Sequence, residues 1–126
     1  MAKINILAVD DDLVNLKLIE VMLKKNSNIG EIVKANNGLE ALDILDRRTD
    51  INLILLDIVM PVMNGLEFLD NMQMKENLSS IPVIVLTTDE TAKREAFNKG
   101  AYDFITKPVF EKDLNQKIND AANLIS

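Results

Sequence analysis

Residues 53–65 have the sequence LILLDIVMPVMNG, in which four aliphatic residues precede an acid and then a stretch with proline, asparagine and glycine. A continuous aliphatic run is typical of a strand in a parallel sheet, because helices bury both faces of such a sheet. The run from 51 to 56 is the most hydrophobic of the chain, so we predict that it forms the central strand. Asp57 follows directly, and a carboxylate at the mouth of a buried strand needs a partner to stay charged. This stretch therefore predicts both a central strand and a functional acid.

The sequence on both sides of this stretch alternates short apolar runs with longer amphipathic segments, five times in all. The five predicted strands span 4–9, 31–35, 51–56, 81–86 and 102–106. The five predicted helices span 13–25, 38–48, 66–72, 90–99 and 111–124. Such alternation implies parallel strands joined by right-handed crossovers, with helices on both faces of the sheet. We therefore predict an α/β fold of the (βα)5 type, and one domain over residues 1–126.

Polar side chains follow four of the predicted strands. Asp10 and Asp11 follow the first strand, Asp57 the third, Thr87 the fourth and Lys107 the fifth. In an open parallel sheet, functional groups collect at the carboxyl ends of the strands. Carboxylates that converge there repel each other, and a hard divalent cation held by oxygen ligands removes that cost. The set is suited to nucleophilic attack by an aspartate on a phosphoryl group, with cationic and hydroxyl groups neutralising its oxygens.

Composition narrows the chemistry further. The chain has no Cys and no His, which excludes disulfides, a thiol nucleophile, thiolate zinc sites and a histidine base. A metal must then be held by oxygen, which indicates Mg²⁺, Mn²⁺ or Ca²⁺. The third acid of the first cluster, Asp12, is better explained as the cap of the following helix than as a ligand.

The charge balance argues against a nucleic-acid footprint, because 20 acidic residues outnumber 14 scattered basic ones and the net charge is −6. The start, Met1 to Ile4, leads directly into a predicted strand, so we expect no signal peptide. Apolar runs fall short of membrane-spanning length. We therefore expect a cytoplasmic protein that binds neither nucleic acid nor membrane.

Four segments, each at a strand end, together resemble the receiver domains of the two-component response-regulator family. They are ILAVDDD, LILLDIVMPVMNG, VIVLTTDE and GAYDFITKP, in the family's order and spacing. The resemblance extends from the first strand to the last helix. It implies a flavodoxin-like, doubly wound five-stranded parallel sheet with strand order 2-1-3-4-5.

The resemblance also implies roles for particular residues. Asp57 would be the phosphoacceptor, with Mg²⁺ as the cofactor and Mn²⁺ as an alternative ion. The implied metal site consists of Asp11 and Asp57 as direct ligands, Asp10 acting through water, and the backbone carbonyl of Val59. Thr87 would be the switching hydroxyl, and Lys107 would pair with the phosphoryl group. Phe104 occupies the aromatic switch position and would move inward on phosphorylation. Pro108, after Lys107, is typically cis in the family.

By the same resemblance, the phosphoryl donor would be a phosphohistidine of a sensor histidine kinase or a histidine phosphotransfer protein. The signal would reach a downstream protein through the face formed by the fourth helix, fifth strand and fifth helix. The chain would act as a switch with weak autocatalytic chemistry, and not as an enzyme with turnover. One departure from the family pattern is Thr88, because the position after the switching Thr is usually small.

Two other functions compete with this one. Residues 10–14, DDDLV, also fit the Asp-x-Asp-x-Val pattern of haloacid-dehalogenase-like phosphatases, in which Asp10 would be the nucleophile. Those enzymes usually need a longer chain and further acids after the fourth strand, where this chain has Thr87 and Thr88. The second competitor is a docking module that keeps the fold and works without phosphate. The full set of site residues argues against it.

Overall fold

Five parallel strands form a single sheet in the computed structural model, which describes residues 3–125. They are β1 (Ile4–Val9), β2 (Ile29–Ala35), β3 (Leu53–Leu56), β4 (Val83–Thr87) and β5 (Asp103–Thr106). Their order across the sheet is β2-β1-β3-β4-β5, and all four pairings are parallel. The predicted fold class and strand order are confirmed.

Helices follow each strand and cover both faces of this sheet. They are α1 (Leu13–Leu23), α2 (Gly38–Arg47), α3 (Gly65–Gln73), α4 (Lys93–Asn98) and α5 (Glu111–Ile125). A short 3₁₀ turn, Glu90–Ala92, precedes α4. Within residues 3–125, each helix is too short or too polar to cross a membrane.

The observed bounds differ from the predicted ones at two strands that lead to the site. β3 begins at Leu53 and not at 51, because the side chain of Asn52 accepts a hydrogen bond from the Asn5 N–H at 2.8 Å in place of a ladder bond. β4 begins after Pro82, which has no N–H to donate to a neighbouring strand. At its other end β4 extends to Thr87, which is the last residue of the strand and not the first residue of the loop.

The fourth predicted helix, 90–99, is wrong in detail. Asp89 caps the 3₁₀ turn, with its side chain accepting from the Thr91 N–H at 3.0 Å, and only Lys93–Asn98 is α-helical. Gly100 ends this stretch, with a φ of 100° that glycine adopts without strain. The connection from β4 to α4 is thus longer and less regular than the sequence pattern indicates.

Two hydrophobic clusters lie on opposite faces of the sheet. One packs α2, α3 and α4 against the sheet around Phe68 and Val85, and the other packs α1 and α5 around Ile84 and Ile118. β3 contributes alternate residues to both clusters and is fully buried, as expected of a central strand. In α1 the buried residues are Leu16, Ile19 and Leu23, whereas the apolar side chain of Val14 is exposed. Both faces of the sheet are therefore packed against helices, and this packing supports the carboxyl edge of the sheet.

Side-chain caps fix where three helices begin beside that edge. Asp12 accepts from the Val14 N–H at 2.9 Å and so caps α1, as predicted. Asn37 caps α2, and Asn64 forms a capping box with Glu67 at the start of α3. Because each cap satisfies N–H groups that a helix leaves unpaired, the loops that carry the polar residues enter their helices at defined positions.

Candidate functional site

The carboxyl ends of β1, β3, β4 and β5 bring together the polar residues that the sequence placed there. The Asp57 N–H extends the ladder by donating to the Val9 carbonyl at 3.0 Å. The Lys107 N–H donates to the Thr87 carbonyl at 2.8 Å on the other side of the sheet. Backbone hydrogen bonds thus position Asp57 and Lys107 directly.

Three carboxylates form a cluster at this edge. Each of Asp10, Asp11 and Asp57 has a carboxylate oxygen within 4.8 Å of those of the other two. Asp10 and Asp57 are buried, whereas Asp11 is exposed to solvent. One Asp10 oxygen accepts from the Asp12 N–H at 2.9 Å, and one Asp57 oxygen accepts from the Ile58 N–H at 2.8 Å. The remaining oxygens are suited to a hard divalent cation, because such ions prefer several oxygen ligands at once.

Lys107 supplies the positive charge that faces this cluster. Its Nζ lies 3.3 Å from an Asp10 oxygen and 3.7 Å from an Asp57 oxygen, and only 17% of its side chain is exposed. The Lys107–Pro108 peptide bond is cis. An ammonium that contacts two carboxylates can also neutralise an oxyanion that forms between them.

The environment of Asp57 shifts its acidity. Burial raises the pKa of the Asp57 carboxyl from 3.8 to about 6. The Lys107 ammonium opposes the rise in pKa, the Asp10 carboxylate adds to it, and the N–H groups of Ile58 and Val59 oppose it by donating to the charged form. Because burial outweighs the single ammonium, the ionised site is short of positive charge, and a metal cation would supply it.

Thr87 and Phe104 lie on the same face of the sheet. Thr87 is buried, and its hydroxyl oxygen accepts from the Asp89 N–H at 3.3 Å. Phe104 pairs with Val85 across the strands and is only 7% exposed, in the cluster that also contains Ala96. The resemblance led us to expect Phe104 to move inward on phosphorylation. In this structure the ring is already inward, because Phe104 has no hydroxyl that would favour solvent.

The loop between β3 and α3 approaches Asp57 more closely than the sequence indicates. A Cβ atom at Gly65 would collide with the Asp57 carbonyl oxygen and would lie 2.8 Å from the Ile58 Cα, so only glycine fits there. Val62 has a φ of 68°, which is strained for a β-branched residue. The Val59 side chain is exposed at the front of this loop. The Asn-Gly pair was the available signal for the turn, but only the structure reveals the close contact at Gly65.

Comparisons with known proteins agree with this geometry. The family model described as "Response regulator receiver domain" matches residues 6–119. Protein PilH of Pseudomonas aeruginosa is 37% identical, over 90% of this chain and 93% of PilH. Solved structures give the same result. One is the receiver domain of sensor histidine kinase PA1611 from Pseudomonas aeruginosa, which has a magnesium ion coordinated in its active-site cleft. It is 26% identical to this chain with a TM-score of 0.85, and the match covers 97% of this chain and 99% of that one. The phosphorylated cyanobacterial phytochrome response regulator RcpA is also 26% identical, with a TM-score of 0.82, covering 98% of this chain and 94% of that one.

Proposed function

This chain belongs to the response regulator receiver domain family, and from that premise we propose that it accepts a phosphoryl group on Asp57 and switches between two states. The whole of residues 1–126 would act as one receiver domain. The family accounts for a general role as a phosphoryl-accepting signalling switch. The proposal adds the accepting residue, the dependence on Mg²⁺ and the surface that responds.

One observation carries the proposal. Asp57 is buried at the mouth of the central strand, within 4.8 Å of two further carboxylates and 3.7 Å from the Lys107 ammonium. An aspartate with a purely structural role would destabilise the fold in that position, since burial raises its pKa to about 6. A nucleophilic role for Asp57 accounts for the whole cluster. Lys107 and a metal ion held by the carboxylates would neutralise the phosphoryl group that Asp57 attacks.

The donor set fits Mg²⁺. Asp11 and Asp57 would be direct ligands, Asp10 would act through water, and the Val59 carbonyl would complete the protein's share. All are hard oxygen donors, and the chain has no His or Cys that would favour a transition metal. When bound, the ion supplies charge neutralisation for one phosphoryl oxygen. The phosphorylated response regulator RcpA and the magnesium-containing receiver domain of PA1611 support the same assignment.

The transfer reaction needs no base from this chain. An Asp57 carboxylate oxygen attacks phosphorus, the bond between phosphorus and the donor's imidazole nitrogen breaks, and the leaving imidazole takes up a proton from solvent. The product is an acyl phosphate on Asp57. Lys107 neutralises one phosphoryl oxygen, and the Thr87 hydroxyl donates to another. Attack by water on the same phosphorus later releases phosphate and restores the carboxylate.

The donor would be a sensor histidine kinase or a histidine phosphotransfer protein, since this chain has no His of its own. The responding surface would be the face formed by α4, β5 and α5, where a downstream protein would bind. Among its charged groups, Lys99 is held by Asp70 of α3 at 2.8 Å. The basic residues Lys93 and Arg94 are therefore better placed than Lys99 to contact a partner.

We expect Asp57→Asn to abolish phosphorylation. Wild-type protein incubated with Mg²⁺ and acetyl phosphate should gain the mass of one phosphoryl group, and omission of Mg²⁺ should prevent this. The asparagine variant should gain none, because an amide oxygen is a poor nucleophile while its shape preserves the fold. Intact mass measures the adduct, and Asp12→Asn is the matched control, since Asp12 caps α1 at the same edge of the sheet.

Each outcome of this experiment assigns the function differently. An adduct that survives Asp57→Asn would instead support Asp10 as the nucleophile and the phosphatase alternative. The absence of any adduct on folded, metal-bound wild type would favour a docking module that works without phosphate.

We expect Thr87→Ala to separate phosphorylation from switching. The variant keeps Asp57 and should still take up the phosphoryl group, but it lacks the hydroxyl that would follow that group. In wild type, hydrogen exchange in residues 88–106 should change on phosphorylation, by about 5- to 150-fold if the coupling has an ordinary size. Thr87→Ala should lose most of that change, whereas Thr88→Val, at the exposed neighbour, should keep it. An unaltered exchange response in Thr87→Ala would contradict the assignment of Thr87.

A further inference from the structure

The loop between β4 and α4, residues 88–92, is held by bonds within itself and by a bond to the end of β4. The Asp89 N–H donates to the Thr87 hydroxyl oxygen at 3.3 Å, and the Asp89 side chain accepts from the Thr91 N–H at 3.0 Å. The Thr91 hydroxyl also donates to Asp89. The bonds between Asp89 and Thr91 shape the loop itself, and the bond to Thr87 ties it to the end of β4.

Within the described part of the chain, one side-chain hydrogen bond ties this loop to β5. The Thr106 hydroxyl, at the end of β5, donates to a Glu90 carboxylate oxygen at 3.1 Å. Both residues are exposed, and neither is a candidate metal ligand or phosphoacceptor. Packing of Ala92 against the hydrophobic cluster supports the end of the loop nearer α4.

The register of the sheet couples this bond to the proposed switch. Thr106 is the direct partner of Thr87 in the pairing of β4 with β5. Paired residues in a parallel sheet point to the same face, and so do residues two apart along a strand. Thr106 therefore shares a face with Thr87 and with Phe104. The bond to Glu90 holds the loop over the same face from which the Thr87 hydroxyl would reach a phosphoryl group.

We propose that the Thr106–Glu90 hydrogen bond is a latch that holds the β4–α4 loop in the unphosphorylated arrangement. While the latch is closed, Asp89 stays in place and its N–H engages the Thr87 hydroxyl. When it opens, the loop and Thr87 can rearrange together. This device rests on the proposed function for its role in switching, whereas its existence as a tether of the loop does not.

Two physical features favour release on phosphorylation. A phosphoryl group brings a charge of about −1.5 to −2 to the site, which disfavours an acidic loop held against the same edge. Phe104 already occupies its inward position, so rotation of the ring is not needed to make room. The loop is then the remaining obstacle to movement of the Thr87 hydroxyl towards the phosphoryl group. The latch is the side-chain hydrogen bond that ties this loop to β5.

The latch can be tested first without phosphate, by hydrogen exchange of the Asp89, Thr91 and Ala92 amides. Thr106→Val keeps the shape and β-branching of the residue but removes the hydroxyl. It should raise these exchange rates about 2- to 10-fold, the effect of losing one net hydrogen bond. Thr106→Ser keeps the hydroxyl and should match wild type. Thr88→Val removes an exposed hydroxyl from the loop itself and is the control.

The second measurement is the rate of phosphorylation by acetyl phosphate with Mg²⁺. Thr106→Val should accelerate it about 2- to 10-fold, because the loop no longer has to leave the latched position. Glu90→Ala should give the same acceleration, and combining the two substitutions should add nothing further. Glu90→Gln keeps an acceptor oxygen, so it should leave the amide exchange rates close to wild type.

The results separate the latch from the function on which it rests. If wild type takes no phosphoryl group on Asp57, the proposed function fails, and exchange alone then decides whether the tether exists. If Thr106→Val and Thr88→Val have the same exchange rates, the latch is overturned. If exchange rises in Thr106→Val while phosphorylation stays at the wild-type rate, the tether exists but its role in switching is overturned.

Discussion

Lys107→Met is expected to bind Mg²⁺ more tightly than wild type, by about tenfold, and yet to be phosphorylated more slowly by about 10²-fold. The two effects have opposite signs because the ammonium lies 3.3 Å from Asp10 and 3.7 Å from Asp57. In that position it competes with a bound cation, so its removal leaves two acids free to bind metal. The same ammonium would stabilise the phosphoryl oxygen as negative charge develops, and methionine cannot.

The experiment needs a pH at which Asp57 is ionised in both proteins. Loss of the ammonium would raise the pKa of Asp57 further above about 6, so both titrations belong near pH 8. Calorimetric titration measures Mg²⁺ affinity, and intact mass during incubation with acetyl phosphate measures the rate. Lys117→Met is the matched control. The Lys117 Nζ lies 3.3 Å from an Asp103 oxygen, and this pair is not part of the site. Weaker Mg²⁺ binding in Lys107→Met would show that the lysine organises the acids more than it competes for them.

The positions of Asp10, Asp57 and Lys107 could be predicted from the sequence because they depend on topology alone. Each follows a strand, and parallel strands that alternate with helices must end at one edge of the sheet. The register of neighbouring strands then determines how close the side chains lie. The absence of His and Cys narrowed the metal to one held by oxygen, which agrees with the three carboxylates now found together.

Other features depend on contacts that a pattern of hydrophobic residues does not encode. Apolar residues of α1 include Val14, but the buried stripe of this helix consists of Leu16, Ile19 and Leu23. The period of 90–99 suited one helix, whereas the cap at Asp89 stabilises a 3₁₀ turn first. The inward position of Phe104 and the bond between Thr106 and Glu90 depend on how β5 pairs with β4. Sequence reasoning therefore placed Asp10, Asp57 and Lys107 at the same edge of the sheet, as the structure has them, but it described the β4–α4 loop poorly.

Asp57→Asn is expected to stabilise the metal-free protein at pH 7, by about 1 to 3 kcal/mol in the free energy of unfolding. The pKa of Asp57 is about 6 in the folded state against 3.8 for an unperturbed aspartate. Between these values the folded protein binds more protons than the unfolded chain, so stability falls as pH rises from about 4 to 6. Asparagine has the same shape and carries no charge, so it avoids that loss. The two proteins should be equally stable below about pH 4, where the aspartate is protonated in both states.

Urea denaturation from pH 3 to 8, with chelator present, measures this difference. Asp43→Asn, at an exposed position of α2, should change stability by less than about 0.5 kcal/mol throughout. Saturating Mg²⁺ should offset most of this difference, because an ion that binds only the folded state at about 100 times its Kd contributes about 2.7 kcal/mol, and the asparagine variant lacks one of its ligands. Asp57→Asn could instead prove destabilising at pH 7 without metal. The Lys107 ammonium alone would then stabilise the ionised Asp57, and the charge deficit from which we infer a metal site would not exist.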